Sequence, residues 1–406
     1  MRKLLTLSLA CVLSQAAVLN DFTVHQRLAT PPTWGPAGSV VVDPNFKSNI
    51  LRVTDAADSA AECLAGGIPG PVDFSNGYSS IYDSFSAHSK HFFYGAADGW
   101  TYIADFDAAA FKLSNKRRIT PNLPQSQTYW SRFDDDLMYY VSGMQIRTYR
   151  VSTGASAVVA DLTGRVPATW GISYFLSRGM DYNDNRIHLM PRTVNYQPLT
   201  PQADLVYDRL QDKVYGPFFT TYDKSQLSAD GQTIMTVYGP IAVDTGAYQP
   251  TTDADYLAAH ADMGVGIPWV GASTAGGGMF GYRVYSAANL AAVTKVYPLD
   301  APRPVDWNMQ VQHFSMRGAN KGVLISTVEM NNGPATLYSN EMVVLYPGDT
   351  TKNIRVANTW TDLQNNNTTY NYGWLPVANL SQDGHFASFV ATYGHGRADV
   401  YIVGVQ

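Results

Sequence analysis

A short hairpin motif that returns along the whole chain is the strongest constraint on its fold. Leu227-Ser228-Ala229-Asp230-Gly231-Gln232-Thr233-Ile234 and Leu380-Ser381-Gln382-Asp383-Gly384-His385-Phe386-Ala387 share one pattern: an apolar residue, Ser-x-Asp-Gly, then an apolar strand. Asp-Gly between two alternating apolar runs is a hairpin signal, because the tight turn needs residues that accept unusual backbone angles. Phe85-Ser86-Ala87-His88-Ser89-Lys90-His91-Phe92 is a third copy, and Ser131-Arg132-Phe133-Asp134-Asp135-Asp136-Leu137-Met138 a degenerate fourth. Looser copies begin at Met180-Asp181 and Phe314-Ser315, and a seventh is placed by spacing near Met263 to Val270. Most copies are followed by a further strand, such as Trp100–Asp105, Gln145–Arg150, Asp204–Asp208 and Asp399–Val403. The helical period is nearly absent; only 105–112 and 251–263 read as short helices.

The copies recur at intervals of roughly 36 to 66 residues, which matches four-stranded propeller blades of about 40–50 residues with variable loops. The chain ends after three strands of its last unit, and Ile50–Asp55 near the N-terminus is a strand with no hairpin before it. That strand can complete the last blade, which ties first to last and removes an open sheet edge. The expectation is an all-β, seven-bladed β-propeller closed by an N-terminal strand. Residues 18–406 would be one domain, although 406 residues would accommodate two or three. A pair of β-sandwiches is the competing architecture, but it predicts no turn motif running the length of the chain.

Residues 1–17 carry Arg2 and Lys3, an apolar run from Leu4 to Leu13, and small residues up to Ala17. This is the pattern of a secretory signal peptide, and it is too short to span a bilayer. Its removal takes Cys11 and leaves Cys63, so the mature chain has no intramolecular disulfide, and it lowers the net charge from −5 to −7. A secreted, extracellular monomer is expected, with no nucleic-acid or membrane partner, since there is no basic footprint. With 45% hydrophobic and only 15% charged residues, the composition excludes disorder. Glycosylation sequons at Asn366, Asn367 and Asn379 mark candidate surface turns.

Ligand sites in such repeats sit on loops entering the innermost strands. Here those positions include Tyr129-Trp130, Ser177-Arg178-Gly179, Tyr222-Asp223-Lys224, His260-Ala261-Asp262, Gln310-Val311-Gln312-His313 and Tyr372-Gly373-Trp374. Aromatic faces stack on pyranose rings while polar side chains orient the hydroxyls. Trp130, Lys224, Gln312, Tyr372 and Trp374 are therefore candidate substrate-binding residues, and the partner expected is an extracellular glycan or small sugar. The competing account is that these rings pack between blades. Arg178, flanked by Ser177 and Gly179, is the candidate cation for a carboxylate. His260 and His313 fall in consecutive blades and are candidate acid/base residues or ligands of a divalent metal ion near the axis. Tyr129 or Lys224 would move the proton. His88, His91 and His188 read as structural. There is no nucleophile elbow, P-loop, zinc-protease motif or dinucleotide fingerprint.

The Ser-x-Asp-Gly hairpins followed by apolar strands resemble TolB-like and oligogalacturonate-lyase-like propellers over most of the mature chain. The resemblance implies a polysaccharide lyase that cleaves a uronate-containing glycan by β-elimination. It also implies a histidine-rich metal site with a nearby glutamine, for which His260, Gln310, Gln312 and His313 are of the right type. The last blade departs from that pattern, presenting Tyr372 and Trp374 where a third histidine would stand. Two other readings stay open: a non-catalytic propeller that binds a glycan or protein, and a glycoside hydrolase using two of Asp181, Asp223, Asp262 and Asp306.

Overall fold

The computed structural model describes residues 18–26, 30–55, 57–58, 74–75, 83–96, 100–124, 127–194, 198–199, 202–219, 225–236, 239–248, 262–264, 267–272, 282–286, 289–295, 309–316, 318, 322–329, 337–346, 349–361, 376–392 and 398–405. These residues form seven antiparallel sheets. The first holds Phe74–Ser75, His91–Ala96, Thr101–Asp107 and Lys112–Arg118; the second Thr128–Trp130, Leu137–Ser142, Gln145–Arg150 and Ser156–Asp161. The third runs Tyr174–Leu176, Arg186–Arg192, Ala203–Asp208 and Lys213–Phe219; the fourth Gln226–Leu227, Thr233–Thr236 and Gly239–Ala242. The fifth comprises Asp262–Gly264, Ile267–Ala272, Tyr282–Ser286 and Asn289–Lys295. The sixth contains Met309–Ser315, Val323–Glu329, Glu341–Tyr346 and Asp349–Asn358, with Val18–Leu19 added at its edge.

The seventh sheet draws on both ends of the chain. Ala378–Leu380, Phe386–Ala391 and Asp399–Gly404 are followed in space by Asn49–Arg52, and then by Val40–Val42. Tyr401 pairs with Arg52, Ile402 with Leu51 and Val403 with Ile50. Arg52 also donates to the Asp399 carboxylate at 2.6 Å, a nearly buried ion pair that locks this junction. The strand Val40–Val42 lies one step further out than the sequence suggests.

Sheets adjacent in sequence pack face to face. Phe93 and Ile103 of the first sheet share a buried cluster with Trp130, Met138 and Tyr140 of the second. Val206 and Phe218 of the third meet Leu227 and Ile234 of the fourth. Leu324 and Val344 of the sixth meet Phe389 and Ala391 of the seventh, and Val390 and Val400 of the seventh meet Phe85 and Phe92 of the first. Inner strands are apolar on both faces where a sheet is covered on both sides, as in Phe386–Ala391, where every residue is buried.

The repeated serine explains itself in the turns. Ser228 Oγ donates to Asp230 at 2.6 Å and accepts the Thr233 N–H at 3.0 Å; Ser381 does the same with Asp383 and Phe386 at 2.5 and 3.0 Å. Gly231 and Gly384 close these turns at φ 72° and 79°, where an L side chain is strained. Ser86 and Ser131 lack an aspartate two residues on. They donate instead to the next sheet: Ser86 to Asp135 at 2.8 Å, and Ser131 to Asp184 at 2.5 Å. Degeneracy in the motif thus converts a turn bond into a latch between sheets.

The helix expected over 105–112 is a correction. Residues 105–107 end one strand, a turn follows, and Lys112–Arg118 returns antiparallel, with Asp107 opposite Lys112. Three successive alanines raised helix propensity, but strand pairing overrides it. The stretch 251–261 lies outside the described residues, and Asp262–Gly264 is a strand.

Candidate functional site

The leading strands of the sheets are joined to their neighbours by hydrogen bonds from residues next to the repeated turn. Gly179 N–H donates to the Tyr129 hydroxyl at 2.8 Å, linking third sheet to second. Tyr182 N–H donates to the Ala229 carbonyl at 2.7 Å, linking third to fourth. Gln226 donates to Asp262 at 2.6 Å, and Asp262 accepts the Met316 N–H at 2.7 Å. Leu380 N–H donates to Ser315 Oγ at 3.1 Å. Asn379 and Ser84 complete the series at 3.5 Å. A neutral tyrosine, an amide and a carboxylate serve here as buried connectors, which is how buried polar groups avoid the cost of an unmade bond.

Three residues before the turn position in five of the sheets stand Asp83, Thr128, Arg178, Ser225 and Ala378. Four of them are buried, whereas Arg178 is only half-buried. The turn residue in its own sheet is Asp181, which takes the place of the serine and accepts the Asn185 N–H at 2.7 Å. One residue after each turn position stand Ala87, Arg132, Tyr182, Ala229 and Gln382. The Arg132 guanidinium lies 3.6 Å from the centre of the Tyr182 ring and 3.5 Å from the Asp83 carboxylate. The Tyr182 hydroxyl reaches across to the Met316 carbonyl of the sixth sheet at 3.2 Å. Side chains from the first, second and third sheets therefore converge with backbone of the sixth. Both amide atoms of Gln382 are buried without a hydrogen-bond partner.

Burial governs the charges here. It pushes the carboxyls of Asp181 and Asp184 above the usual carboxylate range. In Asp184 this prevails over bonds from Ser131 and Arg132 and the charges of Arg132 and Arg209. At Asp135, burial also acts upward, but bonds from His88 and Ser86 hold the carboxyl below its usual value.

Of the residues selected from sequence, Arg178, Tyr129, Trp130, Asp181 and Asp262 are described, and all but the half-buried Arg178 are buried. Tyr129 is buried and committed to Gly179. Trp130 is 1% exposed, packs in the cluster between first and second sheets, and stacks on His91 with 5.9 Å between centroids and 9° between planes. A ring so enclosed offers no face to a sugar, so the substrate-binding role for Trp130 is withdrawn. The proton-transfer role for Tyr129 is withdrawn with it, because the buried phenol is a connector. Gln312 and His313 lie on the leading strand Met309–Ser315, but their side chains are outside the described residues. His260, Lys224, Tyr372 and Trp374 lie wholly outside them, as do Asp223 and Asp306. Asn379 is described and buried, on the strand Ala378–Leu380; Asn366 and Asn367 are outside.

His88 bonds to Asp135 and His91 to Asp105, each at 3.0 Å, while His188 is wholly buried against Asp204 at 3.1 Å. These are the structural roles expected of them. Asp83, Arg132, Tyr182 and Gln382 are the residues that sequence reasoning missed. Their signal was positional, three residues before or one after the repeated turn residue. Among the described residues no three His, Cys, Asp or Glu side chains converge as a metal site would require. A divalent ion would draw on His260, Gln312 and His313, whose side chains are not described.

No family model matches the sequence, and no curated protein does. Among solved structures, an oligogalacturonate lyase in complex with manganese superposes over 93% of this chain and 99% of its own, with a TM-score of 0.59 at 13% identity. The fold is that of an oligogalacturonate-lyase-like propeller. A second oligogalacturonate lyase, from Vibrio parahaemolyticus, covers 91% of this chain and 96% of its own at 10% identity and a TM-score of 0.46. A putative TolB from Agrobacterium tumefaciens covers 71% and 91% at 12% identity, with a TM-score of 0.35. At such identities the propeller likeness concerns fold.

Proposed function

We propose that the protein is a secreted carbohydrate-active propeller, and most concretely a polysaccharide lyase that cleaves a uronate-containing glycan by β-elimination. The seven sheets are its blades, and pairing of Asn49–Arg52 with Asp399–Gly404 closes the ring. Residues 1–17 direct export, and the mature domain acts as an extracellular monomer. The observation that carries the reading is the likeness of nearly the whole chain to a protein described as an oligogalacturonate lyase. Arg178, half-buried where Asp83, Thr128, Ser225 and Ala378 at the corresponding described positions are buried, supports it.

In this reading Arg178 binds the uronate carboxylate in a bidentate pair and draws charge away from the adjacent carbon. A base then takes the proton from that carbon, and the electron pair forms a double bond to the next. The glycosidic oxygen leaves with the bonding pair and is protonated. Stabilising the charge that develops beside the carboxylate is where such a site gains most of its rate. Lys224 remains the base proposed for the proton, and Tyr372 and Trp374 the rings proposed to hold the sugar. His260, Gln312 and His313 would hold a divalent ion, which supplies further charge neutralisation when bound.

The test is incubation of the purified protein with polygalacturonate and other uronate polysaccharides while following absorbance of the unsaturated product. Product that accumulates with wild type and falls at least a hundredfold in Arg178→Ala supports the reading. Folded protein that forms none across the panel removes it, and reducing-sugar release without unsaturated product moves the assignment to a hydrolase.

A further inference from the structure

Away from the leading strands, the third and fourth sheets part at their outer edge to leave a cleft of about 550 Å³. It lies between Lys213–Phe219, the outermost strand of the third sheet, and the return of the chain after Gly239–Ala242 in the fourth. Its floor is apolar and fixed: Phe218, Ile241 and Val243 are buried. Its walls carry two aromatic rings that the fold leaves to solvent, Phe219 at 63% and Tyr248 at 48% exposure. A folded chain gains from covering such rings, and two at the same cleft are more than scattered surface residues.

The polar groups at the cleft narrow the ligand. Asp244 lines it, and its carboxylate is held by Arg186 at 2.6 Å, so an acceptor is fixed in orientation before anything binds. Thr245 adds a hydroxyl beside it. Tyr215, also in the lining, is capped by the Lys213 ammonium 3.9 Å from its ring centre. An alkyl chain would cover the rings but offer the Asp244 carboxylate no donor beyond Arg186. An anionic ligand would meet Asp244 directly. A neutral hexose satisfies both demands, with its C–H face on the exposed rings and its hydroxyls donating to the carboxylate. The volume falls within the roughly 300–1,000 Å³ usual for small-ligand sites.

We propose that this cleft is a second glycan-binding site, on the outer rim of the propeller, for neutral hexose units. It is independent of the lyase reading. Phe219 and Tyr248 are the stacking platforms and Asp244 the orienting acceptor.

The experiment is titration calorimetry of the full mature chain with cellohexaose, mannohexaose and galactohexaose, repeated with Phe219→Ala and Asp244→Asn. Phe219 is mostly exposed, so its truncation leaves the fold intact, and circular dichroism confirms this. Saturable binding of one or more of these hexasaccharides, weakened at least tenfold in either variant, is the expected result. Galacturonan cleavage, if present, is unchanged in Phe219→Ala, which separates this site from the channel. The proposal is overturned if none of the three binds wild type, or if binding is unaltered in the folded variants. Stronger binding of hexagalacturonate than of the neutral sugars, lost in Phe219→Ala, would also overturn it, by assigning the cleft to anions.

Discussion

Replacing Asp184 by alanine tests whether the latches between sheets hold this propeller together. Asp184 is buried, accepts Ser131 Oγ at 2.5 Å and the Arg132 N–H at 2.9 Å, and has a backbone φ of 53°. Its removal strands a buried hydroxyl, at about 1–3 kcal/mol, and a half-buried backbone N–H, at less. Alanine in a left-handed conformation adds about 1 kcal/mol. Against this, the buried carboxylate itself carries a desolvation cost, as its raised pKa shows. The net expectation is a loss of about 2–4 kcal/mol for Asp184→Ala. Asparagine keeps an acceptor and tolerates the same backbone angles, so Asp184→Asn is expected to lose only about 1 kcal/mol. Urea denaturation followed by tryptophan fluorescence reads both. The pH dependence gives a second check. An acid whose folded pKa is raised binds its proton more tightly when folded, so its cost is present above the folded pKa and relieved as pH falls towards the ordinary aspartate value of 3.8. Asp184→Asn removes that dependence. An alanine variant as stable as wild type, or one no worse than asparagine, would refute the idea that degenerate turns are latches.

Further outcomes follow from other residues. Gly231→Ala should destabilise by about 1–3 kcal/mol, because a Cβ there would lie 2.8 Å from Asp181 Oδ2 at φ 72°; urea midpoints check it. Arg178→Ala should abolish unsaturated product while shifting stability by no more than about 1 kcal/mol, since the side chain is half-exposed. Asp21 in the N-terminal arm is pushed up by burial but held at about 2 by bonds from His25 and Thr23. Its contribution is therefore present above pH 3.8 and lost as pH falls towards about 2, so hydrogen exchange of residues 18–25 should rise over that window and not above it.

The repeat was legible because Ser228, Asp230 and Gly231, like Ser381, Asp383 and Gly384, are satisfied within eight residues of chain. Where the partner lies in another sheet, as for Ser86 with Asp135, the sequence showed a blurred motif and no sign of the latch. The pairing of Asn49–Arg52 with the last strand was readable, because a lone strand and an incomplete unit imply one another. Two of the aromatics before the turn, Tyr129 and Trp130, pack between sheets instead of facing a ligand. Tyr129 and Trp130 look the same in sequence whether they face a channel or a neighbouring sheet, and sheets covered on both faces favour the second. Arg132 was passed over because it sits inside the turn motif, where a charge reads as solvated; the fold folds it back onto Tyr182 and Asp83. Arg178 was found by chemistry, and its partial exposure just after the leading strand Tyr174–Leu176 keeps it at the centre of the proposed site.

Mass spectrometry of the products released from polygalacturonate by the mature protein bears most directly on the proposed function. Each elimination gives one fragment with an unsaturated non-reducing end, lighter by one water than its hydrolytic counterpart, and one saturated fragment that keeps the glycosidic oxygen. The account predicts the unsaturated products from wild type and their loss in Arg178→Ala. Saturated products alone, or an intact polymer in the presence of folded protein on every uronate substrate, would contradict it.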